Sequence, residues 1–213
     1  MYKPSEKILS NYAKVLVNFA LNSGNGVKPK EVVFIQVPEC AKPILAPLRN
    51  AVLMAKAYPI IEYIPDGIAK EYYSLANDDQ LSFFPSKYLK GKVDQADHNI
   101  FIIAEPDKHE LEGVDPKKLM MRSKSFKPYK DWRFEKELQG KFTWTLALYG
   151  TKAMANEAKM SLGGYWDQII KACFLDEVDP VSVWKSVAEE IERVKAKLNK
   201  LDIDKLHIVS ANI

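Results

Sequence analysis

Three histidines are the side chains best suited to bind metal or move protons in this 213-residue sequence. His109-Glu110 begins like the zinc motif HExxH, but position 113 is Gly113, so the second imidazole is missing. His98 and His207 lie in separate segments, with no carboxylates at metal-ligand spacing. We therefore expect each histidine to be structural or solvent-facing, and we assign no metal ligand and no catalytic residue to this chain.

Motifs for nucleophilic and nucleotide chemistry are also missing. The sequence has no GxSxG elbow, no P-loop and no CxxC pair. Gly24-x-Gly26 lacks the third glycine of a dinucleotide-binding turn and precedes a strand pattern instead of following one, so it is interpreted as a plain turn. Cys40 and Cys173 lie far apart, which favours two small core residues in a reducing compartment.

A stretch rich in cations and aromatic rings runs from residue 117 to residue 136. It contains the following basic residues: Lys117, Lys118, Arg122, Lys124, Lys127, Lys130, Arg133 and Lys136. Four aromatic rings lie among them: Phe126, Tyr129, Trp132 and Phe134. This mixture could bind single-stranded nucleic acid. The favoured interpretation is an amphipathic helix with buried rings and solvated cations. An intermediate possibility is that this segment contacts a partner subunit.

The elements that would position these side chains alternate between strands and helices. Buried, β-branched runs predict strands at 31–37, 59–64, 99–104 and 142–149, and a short last strand at 206–210. Helical spacing predicts helices over 5–22, 40–57, 68–76, 80–90 and 115–138. Thr151, Ser161 and Asp179 are expected to cap three further helices, and Asp179 is followed by a proline suited to the first helical position.

The last of these helices carries apolar residues spaced by three and four positions. They are Trp184, Val187, Ile191, Val194, Leu198 and Leu201, with charges between them, so one face is expected to pack. Together the elements predict an α/β fold: a Rossmann-like three-layer domain with a mostly parallel sheet and a helix-rich C-terminal part. We expect residues 1–213 to form a single domain.

Composition and charge narrow the class of protein. Apolar residues make up 47% and charged residues 28% of the chain, as is usual for globular proteins, so it should fold. The net charge of +3 is too small to indicate a nucleic-acid partner by itself. No apolar run is long enough to span a bilayer, and the first residues resemble an amphipathic helix more than a signal peptide. We expect a cytoplasmic location and no membrane partner.

The segment from Phe142 to Ser161, FTWTLALYGTKAMANEAKMS, resembles the middle segment of M29 metallo-aminopeptidases. These enzymes are the thermophilic aminopeptidase T type, related to leucyl aminopeptidases. In that family a strand with a tryptophan leads to a Tyr-x-Thr turn, an alanine-rich helix and a Met-Ser step. Tyr165-Trp166, the run 172–176, Asp179-Pro180 and Trp184 continue the pattern.

The resemblance is looser before residue 142 and includes departures from the family pattern. Residues 26–32 and 59–63 are similar to the entries to its first two strands. Lys56 stands where the family has the glycine of an Ala-Gly-Ala turn, which removes a residue suited to a left-handed helix end at a cost of about 1 kcal/mol. Gly163-Gly164 replaces an acidic pair and so removes a capping box.

The resemblance implies the amino-terminal domain of a dimeric, two-domain exopeptidase that acts on peptides. Two divalent metal ions, zinc or cobalt, are expected in the intact enzyme, held by Glu, His and Asp of a carboxy-terminal catalytic domain that is absent from this chain. None of those ligands maps onto a residue here, so this chain binds no cofactor of its own and is expected to be inactive alone.

In the family the amino-terminal domain forms part of the catalytic cavity wall and takes part in subunit assembly. Trp144, Tyr149 and Thr151 are therefore candidates for lining that space, with ordinary packing as the alternative. Two other functions stay open. One is a stand-alone binding or scaffold domain that has lost the catalytic half, and the less favoured one is nucleic-acid binding through residues 117–136.

Overall fold

A computed structural model describes residues 2–210. Its strands are β1 (Val32–Pro38), β2 (Tyr58–Ile64), β3 (His98–Ile103) and β4 (Thr143–Leu148). Its helices before β3 are α1 (Glu6–Asn18), α2 (Lys42–Met54), α3 (Ala69–Leu75), α4 (Asp78–Ser82) and α5 (Ser86–Gln95). Those after β3 are α6 (Pro116–Ser125), α7 (Lys127–Leu138), α8 (Lys152–Glu157), α9 (Leu162–Ala172) and α10 (Pro180–Leu198). Short 3₁₀ turns lie at Asn22–Gly24 and Glu39–Ala41.

The four strands form one parallel sheet in the order β2-β1-β3-β4. The chain passes from β1 outward to β2 and then returns across β1 to β3. The strand order therefore reverses between β1 and β3, and a crevice opens beyond the carboxyl ends of these strands. The α/β, Rossmann-like, three-layer fold class is confirmed.

The main core lies between one face of the sheet and helices α1, α2 and α9. Val33, Ile35, Ile100 and Ile102 point into it from the two central strands, and each is completely buried. Strands with apolar residues on both faces are expected where helices cover a parallel sheet. This core fixes the strand ends that later form the candidate site.

The second face of the sheet is covered less completely, by α5 and α7. A groove of about 440 Å³ separates these helices from the sheet, with Leu89 and Tyr129 on one side and Phe101 and Leu146 on the other. Along the edge strand β4, Trp144, Leu146 and Leu148 are 45%, 52% and 38% exposed. An apolar surface of this kind is typical of a face that contacts more protein.

Three expected elements differ in the structure. The single helix expected over 115–138 is two helices, because Pro128 has no N–H to continue the helical hydrogen bonding and α7 begins beside it. Pro85 separates α4 from α5 within the predicted helix 80–90 in the same way. The helix predicted over 5–22 ends at Asn18, and a 3₁₀ turn follows.

The strand expected at 206–210 is wrong. These residues form no strand in the described chain, and Leu206, Ile208 and Val209 are more than three-quarters exposed. A strand needs a neighbouring strand to complete its hydrogen bonds, and the sheet at β1–β4 does not reach this segment.

Helix α10 leaves the body of the domain about halfway along its length. Trp184 packs against Phe19 and Phe174, with ring centroids 5.6 and 5.4 Å away. Every residue from Glu189 to the helix end is exposed, including Ile191, Val194 and Leu198. The expectation that one face of this helix packs therefore applies only to its first half in this chain.

Candidate functional site

A cavity of about 400 Å³ opens at the carboxyl ends of β1, β3 and β4. Cys40 follows β1, Pro106 follows β3, and Tyr149 to Ala153 follow β4. We call this space the switch-point cavity, because it lies where the strand order reverses, the usual ligand position in open parallel sheets. Its remaining lining comes from the chain start and two helices, at Tyr2, Lys3, Pro4, Pro43, Leu162 and Trp166.

The floor of the switch-point cavity is a fixed aromatic pair. Tyr149 meets Trp166 edge-to-face, and both rings are buried. The indole Nε1 of Trp166 donates a 3.0 Å hydrogen bond to the carbonyl of Gly150. A Cβ at position 150 would lie 2.8 Å from the Tyr165 ring and 3.0 Å from the Trp166 Nε1, so only glycine allows this close approach.

Thr151 positions the turn that follows β4. Its hydroxyl donates a 2.5 Å hydrogen bond to the Glu105 carbonyl, and its oxygen accepts one from the N–H of Met154 at 3.2 Å. The first bond connects the loop after β3 to the loop after β4, and the second caps α8 as expected. Thr151 therefore shapes the wall through bonds that leave its hydroxyl occupied.

Cys40 lies on the β1 side of the switch-point cavity, close to Asp66. The Cys40 N–H donates a 2.7 Å hydrogen bond to Asp66 Oδ2. Burial, together with hydrogen bonding to Asp66 and its negative charge, raises the pKa of the Cys40 thiol to about 12. The thiol is thus protonated at neutral pH and is a poor nucleophile, because thiolate is the reactive form.

Among the described residues, the charged side chains of the lining are both positive, although Asp66 lies next to Cys40. Lys3 and Lys152 belong to the lining, and no aspartate or glutamate does. Neither lysine forms an ion pair with any of residues 2–210. Burial, followed by the neighbouring Cys40, raises the pKa of Tyr149, which keeps its hydroxyl protonated as a hydrogen-bond donor. The cavity combines apolar aromatic walls with cationic and neutral donors.

The structure separates the three candidate lining residues into two groups. Tyr149 and Thr151 line the switch-point cavity together. Trp144 lies near the amino-terminal end of β4, where it pairs with Asn99 and lines the groove on the second sheet face. Its indole donates a 3.1 Å hydrogen bond to Glu137. Trp144 therefore belongs to a different surface from the other two.

The histidines take no part in the switch-point cavity. His98 is buried at the opposite end of the sheet, with Nδ1 2.8 Å from Thr143 Oγ1 and Nε2 2.7 Å from Glu31 Oε2. These contacts join the segment before β1 to β3 and β4, so His98 is structural. His109 and His207 are exposed.

Metal-binding side chains do not converge in the described part of the chain. Within residues 2–210, no group of three or more His, Cys, Asp or Glu side chains could hold an ion. The donors present therefore do not fit a dinuclear metal centre. Among the same residues, no helix has the length and apolar character needed to cross a membrane.

The basic stretch is held against the body of the domain. Lys136 Nζ donates hydrogen bonds to the carbonyls of Val93, Asp94 and Ala96, at 2.7–3.0 Å. Lys118 likewise bonds the carbonyls of Tyr73 and Ala76. Burial lowers the pKa of Lys136. These two cations bind carbonyls at the carboxyl ends of α5 and α3 instead of being solvated as expected, which disfavours nucleic-acid binding. The expected burial of the rings is met only in part, because Phe126, Tyr129 and Trp132 are half-buried and Phe134 is 61% exposed.

Sequence reasoning missed Cys40, Gly150, Trp166 and both lysines as members of one site. One signal could have found most of them: Cys40, Gly150 and Lys152 come within three residues of the carboxyl ends of predicted strands, where parallel sheets place ligands. Nothing in the sequence pattern indicates that Lys3 or Trp166 reaches the same place, because each arrives from a distant segment.

Known proteins similar to this chain point to one group of enzymes. The sequence model of Peptidase_M29, described as thermophilic metalloprotease (M29), matches residues 5–213. Aminopeptidase PepS of Streptococcus thermophilus is 25% identical over 214 residues, covering 93% of this chain and 50% of that protein. Aminopeptidase 2 of Geobacillus stearothermophilus is 19% identical over 203 residues, covering 91% of this chain and 48% of that protein.

The fold has a similar counterpart of known structure. Wild-type AmpT from Thermus thermophilus superposes with a TM-score of 0.70 at 18% sequence identity, over 91% of this chain and 49% of that one. This similarity supports the fold. The chain spans about half the length of the curated relatives that it matches.

Proposed function

The chain belongs to the M29 family of thermophilic metalloproteases, and from this premise we propose that it is the amino-terminal α/β domain of a metal-dependent aminopeptidase. The match to the family over residues 5–213 is the observation that carries this proposal. Both curated relatives bear the name aminopeptidase, and each is about twice as long as the matched region. Peptides are accordingly the proposed substrates of the intact enzyme.

We propose that metal binding and catalysis belong to residues outside this chain. Residues 2–210 contain no cluster of suitable ligands. Two divalent ions, zinc or cobalt, would be held by side chains outside these residues, in a catalytic domain that follows. We assign no catalytic step to a residue of this chain, and the chain alone is expected to be inactive.

The proposed contribution of this domain is to shape space beside the catalytic centre. Tyr149 and Thr151 are held rigidly at the carboxyl ends of the strands, by the ring of Trp166 and the carbonyl of Glu105 respectively. We propose that this side of the domain forms part of the wall of the catalytic cavity, because ligands of parallel sheets bind beyond the carboxyl ends of the strands.

A second proposed role is assembly, including a homodimer of the intact enzyme. Two exposed apolar surfaces support it: the β4 edge with Leu146, and the second half of α10 with Ile191 and Leu198. An unpacked helical extension is marginal in water, since most helix stability in proteins comes from tertiary packing. Both surfaces therefore suit contact with more protein.

The proposal is tested by comparing two purified samples after incubation with zinc or cobalt. One is the 213-residue chain, and the other is an intact protein that contains it. We expect release of amino-terminal residues from short peptides only by a sample that includes metal-binding segments outside this chain. Metal-dependent release of amino-terminal residues by the 213-residue chain itself would overturn the proposal that the metal ions are held outside this chain.

A stand-alone scaffold or binding domain is the second candidate, because residues 2–210 lack a metal-ligand cluster. It predicts that the natural protein contains no further catalytic segment, which an intact-mass measurement of the protein from its source decides. Nucleic-acid binding through residues 117–136 is less favoured, because Lys118 and Lys136 are bonded to backbone carbonyls. Failure to bind oligonucleotides at low ionic strength would remove it.

A further inference from the structure

The switch-point cavity contains two lysines that have no partner of opposite charge among residues 2–210. Lys3 lies on the segment before α1, and Lys152 is the first residue of α8. Neither forms an ion pair within residues 2–210, and no acidic side chain belongs to the lining. An ammonium group at the mouth of an apolar cavity is attracted to a ligand that carries negative charge.

We propose that the switch-point cavity binds the carboxylate of a short peptide or free amino acid, with Lys3 and Lys152 holding the negative charge. The inference rests on the proposed function for its peptide ligand and names a recognition element that this chain supplies. Each lysine lines the cavity, so its stem adds apolar surface while its ammonium group carries the charge that attracts a carboxylate. Charge-assisted hydrogen bonds of this kind are stronger than neutral ones.

The walls of the cavity suit the remainder of such a ligand. A volume of about 400 Å³ lies in the range of small-molecule sites, which combine apolar walls with a few polar groups. Tyr149, Leu162 and Pro106 offer apolar surface to a side chain. Two further members of the lining, Tyr149 and Cys40, are uncharged at neutral pH, because burial raises the pKa of each.

The hydrogen bonds beneath the cavity indicate a preorganised site. The Trp166 Nε1–Gly150 hydrogen bond and the Thr151–Glu105 bond hold two of the three strand-end loops in place. A ligand therefore loses little free energy to ordering the protein, which leaves more of the contact energy for affinity.

The test is a titration of the ¹⁵N-labelled 213-residue chain, followed by backbone amide chemical shifts. The probes are N-acetyl-leucyl-leucine as the free acid, the same compound as its carboxamide, and inorganic phosphate. We expect the acid to shift the amides of Cys40, Gly150 and Lys152, with a Kd about tenfold lower than that of the carboxamide. Equal affinity for the two compounds, or shifts confined to other regions, would overturn the proposal.

Substitution of both lysines provides the matched comparison. Lys3→Met with Lys152→Met keeps the apolar stems and removes the charges, so the preference for the acid should disappear. Lys14→Met removes a lysine that lines a separate cavity between α1 and α2 and should leave the preference unchanged. If phosphate shifts the same amides as strongly as the acid does, the site binds anions in general and the carboxylate assignment is wrong.

These results can be separated from failure of the proposed function. The titration measures binding to this chain without metal or catalysis. If the intact protein lacked aminopeptidase activity, the chain could still bind the acid more tightly than the carboxamide, and only the proposed function would fail. If the chain bound both compounds equally, only the carboxylate site would fail, and the activity assay would still test the proposed function.

Discussion

The phenol ring of Tyr149 meets the indole of Trp166 edge-to-face, with centroids 5.0 Å apart and an interplanar angle of 84°. Tyr149 is the first residue after β4, while Trp166 lies inside α9. Their contact joins the strand end to the helix and places both rings on the lining of the switch-point cavity. The cavity floor is therefore also part of the hydrophobic core.

Trp166→Phe should lower the free energy of unfolding by about 2–4 kcal/mol. The smaller ring leaves a void in the core, and the buried carbonyl of Gly150 loses its hydrogen-bond donor. Urea unfolding followed by circular dichroism measures the change. Trp144→Phe is the matched control, because that indole is 45% exposed, and it should cost less than about 1 kcal/mol. Equal losses in the two variants would contradict the role given to Trp166.

Lys56→Gly should stabilise the chain by about 1 kcal/mol. Lys56 follows the end of α2 with φ of 60°, a left-handed conformation that glycine adopts without steric cost. Thermal unfolding should show a midpoint about 2–4 °C higher. Lys14→Gly, in the interior of α1, should instead destabilise by about 1 kcal/mol. A lower melting temperature for Lys56→Gly would show that the lysine side chain compensates for the strain.

The stability of the chain should fall in acid partly through Glu31. Partial burial alone would raise the pKa of Glu31, but the hydrogen bonds from His98 and from the N–H of Lys28 outweigh it and lower the pKa below its ordinary value of 4.5. A lowered pKa in the folded state adds stability above the ordinary value, and this stability is lost as the pH falls through the folded value.

Glu31→Gln should therefore reduce the loss of unfolding free energy between about pH 6 and pH 3, measured by urea titration at each pH. Glu135→Gln, at an exposed position of α7, is the control and should leave the pH dependence as it is in the unmodified chain. An unchanged acid slope in Glu31→Gln would contradict the contribution of the Glu31–His98 contact.

The exposed apolar residues of α10, Ile191, Val194 and Leu198, should affect stability only where they contact more protein. Ile191→Glu combined with Leu198→Glu should leave the melting temperature of the 213-residue chain nearly unchanged, because both side chains are exposed there. In an intact protein that contains the chain, the same changes should lower the melting temperature or promote dissociation, seen by light scattering. Ala196→Glu, outside this set of residues, is the control. Equal behaviour of the double variant and the control variant in the intact protein would contradict a contact at α10.

The parallel sheet and most helices could be predicted from the sequence, because both depend on local patterns. The run around Ile35 and the one around Ile102 are apolar on both faces, which is typical of strands covered by helices. The caps at Thr151, Ser161 and Asp179 are local, because each side-chain oxygen accepts a hydrogen bond from the backbone N–H three residues further on. The prolines Pro85 and Pro128 carried the information about helix breaks, but periodicity alone did not show where the helices divide.

The switch-point cavity could be predicted only in part, because it depends on contacts between distant segments. Tyr149 and Thr151 are indicated by the family resemblance, which includes their Tyr-x-Thr turn. Trp166 joins them through the packing of α9, and Lys3 through the path of the chain before α1. The strand expected at 206–210 fails for a related reason: its apolar pattern is local, whereas a strand also needs a partner, and the described sheet does not provide one.

Metal-dependent aminopeptidase activity is the most direct test of the central claim. The 213-residue chain and an intact protein that contains it are each loaded with zinc or cobalt, and bound metal and release of amino-terminal residues are measured on the same samples. The account predicts bound metal and activity only when segments outside this chain are present. Stoichiometric metal and peptide cleavage by the 213-residue chain alone would contradict it.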